Sequence, residues 1–130
     1  MGMENKILIV DDALFMRAML KKILNEAGYT QIFEAANGAE ACAVYEAQKP
    51  DAVLMDISMP EMNGIDALKA IVREDPEAVV VMCSAVGQEA MIVEAVQSGA
   101  LDFIVKPFKP EQIVQAVETA LAKAKGGDNT

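Results

Sequence analysis

The sequence predicts an alternating α/β domain built on a five-stranded parallel sheet with helices on both faces. Strand-like and helix-like segments alternate five times, with short punctuation and no linker or low-complexity stretch. The first, third and fourth strand-like segments are nearly continuous apolar runs, as expected for strands covered on both sides. The first and last helical segments each carry one apolar stripe at helical spacing. A chain of 130 residues, 53% of them apolar, is one domain by length and can fill a full core.

The elements follow in order. Ile7-Leu8-Ile9-Val10 marks a strand over Lys6–Val10. In the next segment Met16, Leu20, Ile23, Leu24 and Ala27 share a helical face, and Gly28 follows as a stop signal. A second strand over Gln31–Ala35 leads to a helix that ends before Lys49-Pro50. Ala52-Val53-Leu54-Met55 marks the third strand, Asp51–Met55, and its helix ends at Asp75-Pro76. The fourth strand is expected over Ala78–Cys83 and the fifth over Leu101–Val105. Between them, Ala90-Met91-Ile92-Val93 and Ala95-Val96 are apolar on more than one helical face. Some of Met91, Ile92 and Val96 are therefore expected to stay exposed and form part of a partner-binding patch, with a well-buried helix as the plainer reading. Pro110 opens the last helix, whose stripe is Ile113, Val117, Ala120 and Leu121. The domain is expected to span 1–124, with 125–130 as a flexible tail.

Composition excludes several classes. A net charge of −9 argues against nucleic acid or an anionic membrane as partner. No apolar run approaches the ~20 residues of a membrane span, and the first strand begins too early to leave room for a signal peptide. Cys42 and Cys83 lack CxxC spacing and read as small apolar residues in a reducing cytoplasm. There is no histidine, so a phosphohistidine, histidine base or zinc ligand would have to come from another protein.

The chemistry gathers at strand ends. Asp11 and Asp12 close the first strand, Asp56 follows the third, Ser84 the fourth and Lys106 the fifth. If the first and third strands are parallel neighbours, three carboxylates meet at one edge, where a hard divalent cation offsets their repulsion. A metal beside a carboxylate is also how a phosphoryl group is transferred onto that carboxylate. Asp56, the lone acid on its strand, is the candidate nucleophile. Asp12, helped by Asp11, would hold Mg²⁺ together with a backbone carbonyl just past Asp56. Lys106 and the Ser84 hydroxyl would bind phosphoryl oxygens. Gly64, after Met59-Pro60-Glu61-Met62-Asn63, is expected to supply a residue tolerant of positive φ. Singly, each residue has a plainer role: Asp11, Asp12 or Ser84 as helix caps, Lys106 as a solvated lysine.

Together these motifs resemble the receiver domain of bacterial two-component signalling, in particular its single-domain chemotaxis regulators. They are Ile7-Leu8-Ile9-Val10-Asp11-Asp12, Met55-Asp56-Ile57-Ser58-Met59-Pro60, Asn63-Gly64, Ser84-Ala85 and Val105-Lys106-Pro107-Phe108. The resemblance runs from Ile7 to about Leu121 and implies a flavodoxin-like fold with strand order 2-1-3-4-5. It implies Asp56 as phosphoacceptor, with Asp11, Asp12, Asp56 and the Ser58 carbonyl around Mg²⁺ (Mn²⁺ as the alternative). It also implies Ser84 and Lys106 as phosphoryl-binding groups, a cis Lys106-Pro107 bond and Phe103 as a switch aromatic. In the implied switch, phosphorylated Asp56 draws Ser84 inward and Phe103 rotates into the vacated space. The output face of the fourth helix, fifth strand and fifth helix is altered in consequence.

The resemblance further implies a CheA-like histidine kinase as donor, a FliM-like flagellar switch protein as output and a separate phosphatase. Ser58 and Val86 occupy positions that tune dephosphorylation, and neither offers a carboxylate, amide or cation to orient water. The chain is thus expected to be a switch that catalyses only its own phosphorylation and dephosphorylation. Rival readings are a phosphorelay intermediate and the receiver of a larger transcriptional or methylesterase regulator. An aspartate-dependent phosphatase would place a second Asp where Ser58 stands, and a flavin carrier would not put Asp11-Asp12 against a phosphate.

Overall fold

The computed structural model describes residues 5–59 and 62–126. Five strands alternate with five helices: β1 (Lys6–Val10), α1 (Leu14–Glu26), β2 (Gln31–Ala35), α2 (Gly38–Gln48) and β3 (Ala52–Asp56). They continue as α3 (Gly64–Glu74), β4 (Val80–Ser84), α4 (Glu89–Gln97), β5 (Asp102–Val105) and α5 (Pro110–Gly126). All pairings are parallel, and the sheet order is β2-β1-β3-β4-β5.

Each central strand feeds two cores because its side chains alternate between faces. Leu8, Val10, Val53, Met55, Val80 and Met82 point to one side, where Ala41 and Tyr45 of α2, Leu68 and Ile71 of α3 and Ala95 of α4 cover them. Ile7, Ile9, Leu54, Val81 and Cys83 point to the other, under Leu20 and Leu24 of α1 and Ile113, Val117 and Leu121 of α5. That two-sided burial is why β1, β3 and β4 read as unbroken apolar runs. The expected stripes of α1 and α5 are the faces that seal the second core.

Helix ends follow local chemistry. Gly28 adopts φ 104° just past α1, the left-handed geometry that a Cβ disfavours. Lys49 takes the same region with φ 50° at the end of α2, immediately before Pro50. Asn63 caps α3, its Oδ1 accepting the Asp66 N–H at 2.9 Å. At Asp75, where α3 stops, the Tyr45 hydroxyl donates to the carboxylate at 2.8 Å and ties α2 to α3.

Three strand boundaries shift from expectation. β3 runs Ala52–Asp56 rather than from Asp51, because the Asp51 side chain turns back to accept the Lys6 N–H at 2.8 Å. β4 runs Val80–Ser84, and β5 begins at Asp102. Asp56 and Ser84 are thus the last rungs of the sheet rather than loop residues, with Asp56 opposite Cys83 and Ser84 opposite Val105. α5 continues to Gly126, and residues 127–130 of the expected tail lie outside the described residues. Among the described residues, no helix is long and apolar enough to cross a membrane.

Candidate functional site at the carboxyl edge of the sheet

β1 lies between β2 and β3, so the connections leave it in opposite directions and a crevice opens at the carboxyl ends of β1 and β3. The sequence puts its acids at that crevice. Asp11 and Asp56 are buried, Asp12 is exposed, and one carboxylate oxygen from each lies within 4.8 Å of the others.

Asp11 is held from several sides. Its N–H extends the sheet to the Ala35 carbonyl at 3.1 Å, and its Oδ1 accepts the Ala13 N–H at 2.9 Å. That second contact realises part of the helix-capping role open to it, while α1 takes Ala13 as its N-cap. The other oxygen, Oδ2, faces the Lys106 Nζ at 3.3 Å, and the same ammonium lies 3.2 Å from Asp56 Oδ1. Lys106 is placed by its own backbone, whose N–H donates to the Ser84 carbonyl at 2.7 Å just beyond β5. The Lys106-Pro107 bond is cis, as expected.

Electrostatics within this group are unequal. Burial raises the Asp56 carboxyl to about 6, and repulsion from Asp11 and Asp12 adds to that, while Lys106 pulls it down only in part. Burial works against the Lys106 ammonium, yet Asp56 and Asp11 outweigh it and its pKa rises. The site therefore carries surplus negative charge that a single lysine does not neutralise. Ser84 is fully buried, and its Oγ has no hydrogen-bond partner among the described residues. An unsatisfied buried hydroxyl is costly and favours any oxygen-rich ligand that brings it an acceptor.

These residues fit a hard divalent cation: the donors are carboxylate oxygens, with no thiolate or imidazole among them. Asp11, Asp12 and Asp56 would hold such an ion, Mg²⁺ being the hard cation expected from the sequence. When bound, the ion supplies positive charge beside the Asp56 carboxylate. Because a proton on Asp56 competes with the metal, Mg²⁺ affinity should rise with pH through about 6. Calorimetric titration should show roughly tenfold tighter binding at pH 7 than at pH 5, levelling above pH 7. A flat profile would show that no proton on Asp56 competes with the ion in this range.

The remaining expected residues fall around this centre. Ser58 is exposed two residues past Asp56, and Val86 is 79% exposed with no polar atom to offer. Phe103 is 41% exposed on β5, turned away from the core. The α4 patch needs correction. Met91 and Ile92 are half-buried and packed on the core because they lie one turn before the buried Ala95. The exposed apolar residues of α4 are Val93 and Val96, at 56% and 49%.

Gly64 also has a different role from the one expected. Its φ is not positive; instead, a Cβ there would lie 2.0 Å from the Asp56 carbonyl oxygen. Glycine is required because the start of α3 presses against the backbone of β3, with the Gly64 N–H donating to the Ile57 carbonyl at 2.8 Å.

Two residues escaped the sequence reading. Arg17 donates to the Asp11 carbonyl at 2.7 Å and to Glu34 at 3.0 Å, pinning the loop after β1 to β2. Gln88, at the start of α4, accepts the Ala85 N–H at 2.6 Å and donates to the Ser58 hydroxyl. Arg17 follows Asp11 by less than two helical turns, a spacing that could have flagged it. Nothing local marks Gln88.

A parallel sheet whose switch point holds a buried acid pair bridged by lysine, beside an unpartnered hydroxyl, defines an α/β phosphoacceptor domain. A family model described as the response regulator receiver domain matches residues 7–118, and the chain belongs to that family. Chemotaxis protein CheY of Thermotoga maritima is 57% identical over 115 residues, covering 88% of this chain and 96% of that protein. The sporulation initiation phosphotransferase F of Bacillus subtilis is 40% identical over 119 residues, covering 92% and 95%. Among solved structures, CheY in the CheX–CheY–BeF3–Mg²⁺ complex of Borrelia burgdorferi is 38% identical with a TM-score of 0.85, covering 91% and 90%. This chain is thus a two-component receiver closely related to the CheY chemotaxis regulators.

Proposed function

We propose that this chain is a stand-alone response regulator that accepts a phosphoryl group on Asp56 and thereby changes its affinity for a flagellar motor switch protein. The observation that carries the reading is the Lys106 ammonium set between buried Asp11 and Asp56, beside the orphaned Ser84 hydroxyl. An Asp56 oxygen attacks the phosphorus of a phosphohistidine on a partner kinase; the P–N bond breaks and the imidazole nitrogen keeps the bonding pair and takes up a proton. Lys106 and Ser84 bind the transferred oxygens, and Asp11, Asp12 and the Ser58 carbonyl hold Mg²⁺, for which Mn²⁺ can substitute. No separate substrate is turned over, and the chain works in the cytoplasm.

The chemotaxis assignment is supported by 57% identity to one CheY and 51% to another, each over 88% or more of this chain. The output face combines Val93, Val96, Phe103 and Val105, all exposed, with Met91 and Ile92 beneath them. Phe103 swings inward when Ser84 moves toward the phosphoryl group, changing that face. The Ser58 hydroxyl accepts from Gln88 and Val86 is aliphatic, so neither position supplies a carboxylate, amide or cation to orient an attacking water. The phosphorylated protein alone should survive for minutes, with a separate phosphatase resetting it; a half-life of seconds would overturn this.

Titrating a flagellar-switch peptide with Mg²⁺, with and without beryllofluoride, tests the output. Binding that tightens on activation and vanishes in Asp56→Asn supports the motor assignment. Equal binding or none in both states, with phosphorylation intact, would favour a phosphorelay intermediate.

A further inference from the structure

Among the described residues, the Gln88 side chain links the loops after β3 and β4. Its Oε1 accepts the N–H of Ala85, directly after Ser84, and its Nε2 donates to the hydroxyl of Ser58, two residues after Asp56. The two bonds span 30 residues of sequence and close a ring over the carboxyl ends of the strands that carry Asp56 and Ser84. Gln88 is also the N-cap residue of α4, yet its side chain makes no capping bond to that helix. The carboxamide reaches back across the site instead.

We propose that Gln88 is a positioning residue that latches the unphosphorylated arrangement and so sets how readily the site accepts a phosphoryl group. The inference rests on Asp56 being the acceptor. A phosphoryl group on Asp56 must fit between the ends of β3 and β4, and the orphaned Ser84 hydroxyl must move to meet it. Where the Ser84 backbone shifts with its hydroxyl, the Ala85 amide moves too, because the Ser84 carbonyl and the Ala85 N–H share a peptide unit. That shift strains the bond to Gln88 while Ser58 anchors the other end. The same linkage would make the start of α4 respond to events at Asp56, since Gln88 is the residue at which the loop enters the helix. It also engages both ends of the carboxamide, with its oxygen on Ala85 and one N–H on Ser58.

The test is beryllofluoride affinity in the presence of Mg²⁺, followed through backbone amide shifts, for the intact chain and for Gln88→Ala, Gln88→Asn and Ser58→Ala. Asparagine keeps the amide but is one methylene too short to span both loops. Each variant should bind beryllofluoride about fivefold more tightly than the parent, the scale of losing one or two modest hydrogen bonds that oppose the bound form. The Gln88→Ala/Ser58→Ala pair should gain no more than either single change, because both break one latch. A merely structural Gln88 would lower the melting temperature and leave beryllofluoride affinity unchanged, which would overturn the proposal, as would weaker binding. If the parent itself bound no beryllofluoride, the phosphoacceptor reading would fail first.

Discussion

Asp56→Asn should abolish phosphorylation and at the same time stabilise the fold. Incubation with acetyl phosphate and Mg²⁺ should add one phosphoryl mass to the parent and none to the variant, although Asp11 is also buried beside Lys106. Asp11 is the nearest competitor, but its Oδ1 is already committed to the Ala13 N–H. The stability effect follows from the raised carboxyl. Folding lifts Asp56 from an ordinary carboxylate value near 3.8 to about 6, so the folded state binds its proton more tightly than the unfolded chain does. Its favourable contribution is complete below about pH 4 and is lost as pH rises through about 6. At pH 7 the ionised group therefore costs stability, by up to roughly 3 kcal/mol at 1.36 kcal/mol per pKa unit. Asparagine removes that cost while its oxygen still accepts from Lys106. Thermal melts at pH 7 should rise for the variant, and the difference should shrink toward pH 4. Equal melting at both pH values would show that Asp56 is not strained by its setting.

Gly64→Ala should be the most damaging single methyl in the molecule. The new Cβ would sit 2.0 Å from the Asp56 carbonyl oxygen, 2.9 Å from its carbonyl carbon and 2.9 Å from the Ile57 Cα. All three are backbone atoms, of the last residue of the fully buried β3 and of the residue after it, so no side-chain rotation relieves the overlap. Either α3 lifts away, breaking the Gly64–Ile57 hydrogen bond, or β3 is displaced beside the acceptor. The expected loss is about 3 kcal/mol or more, a fall of roughly 10 °C in melting temperature for a domain of this size. Magnesium binding should weaken in parallel, since the carbonyl just past Asp56 moves with the same peptide segment. A variant that melted and bound Mg²⁺ like the parent would contradict the close approach.

The helix after β1 shows how far sequence reasoning reaches. The Met16–Ala27 stripe and Gly28 were legible because period and punctuation are local, and α1 buries that stripe. On α4 the same reading left the side open, because apolar residues surround the helix and only the sheet decides which side turns inward; Val96 stays exposed. Met91 and Ile92 go in and Val93 goes out because Ala95 sits against the core. Gly64 was noticed for the wrong property: a glycine in sequence reads as conformational freedom, whereas close approach becomes visible only once β3 is beside it.

What the sequence by itself determined was the order of elements, the two-sided burial of β1, β3 and β4, and the placing of Asp11, Asp12, Asp56, Ser84 and Lys106 at strand ends. Those follow from apolar runs, periodicity and Pro or Gly stops, all properties of short segments. Tertiary structure alone decided that Asp11 is buried while Asp12 is exposed, and that Asp56 and Ser84 are the last rungs of the sheet. It also brought Arg17 to Glu34 and Gln88 to Ser58. These partners are 17 and 30 residues apart, and hydrogen bonds at that separation exist only after the strands have set the loops side by side.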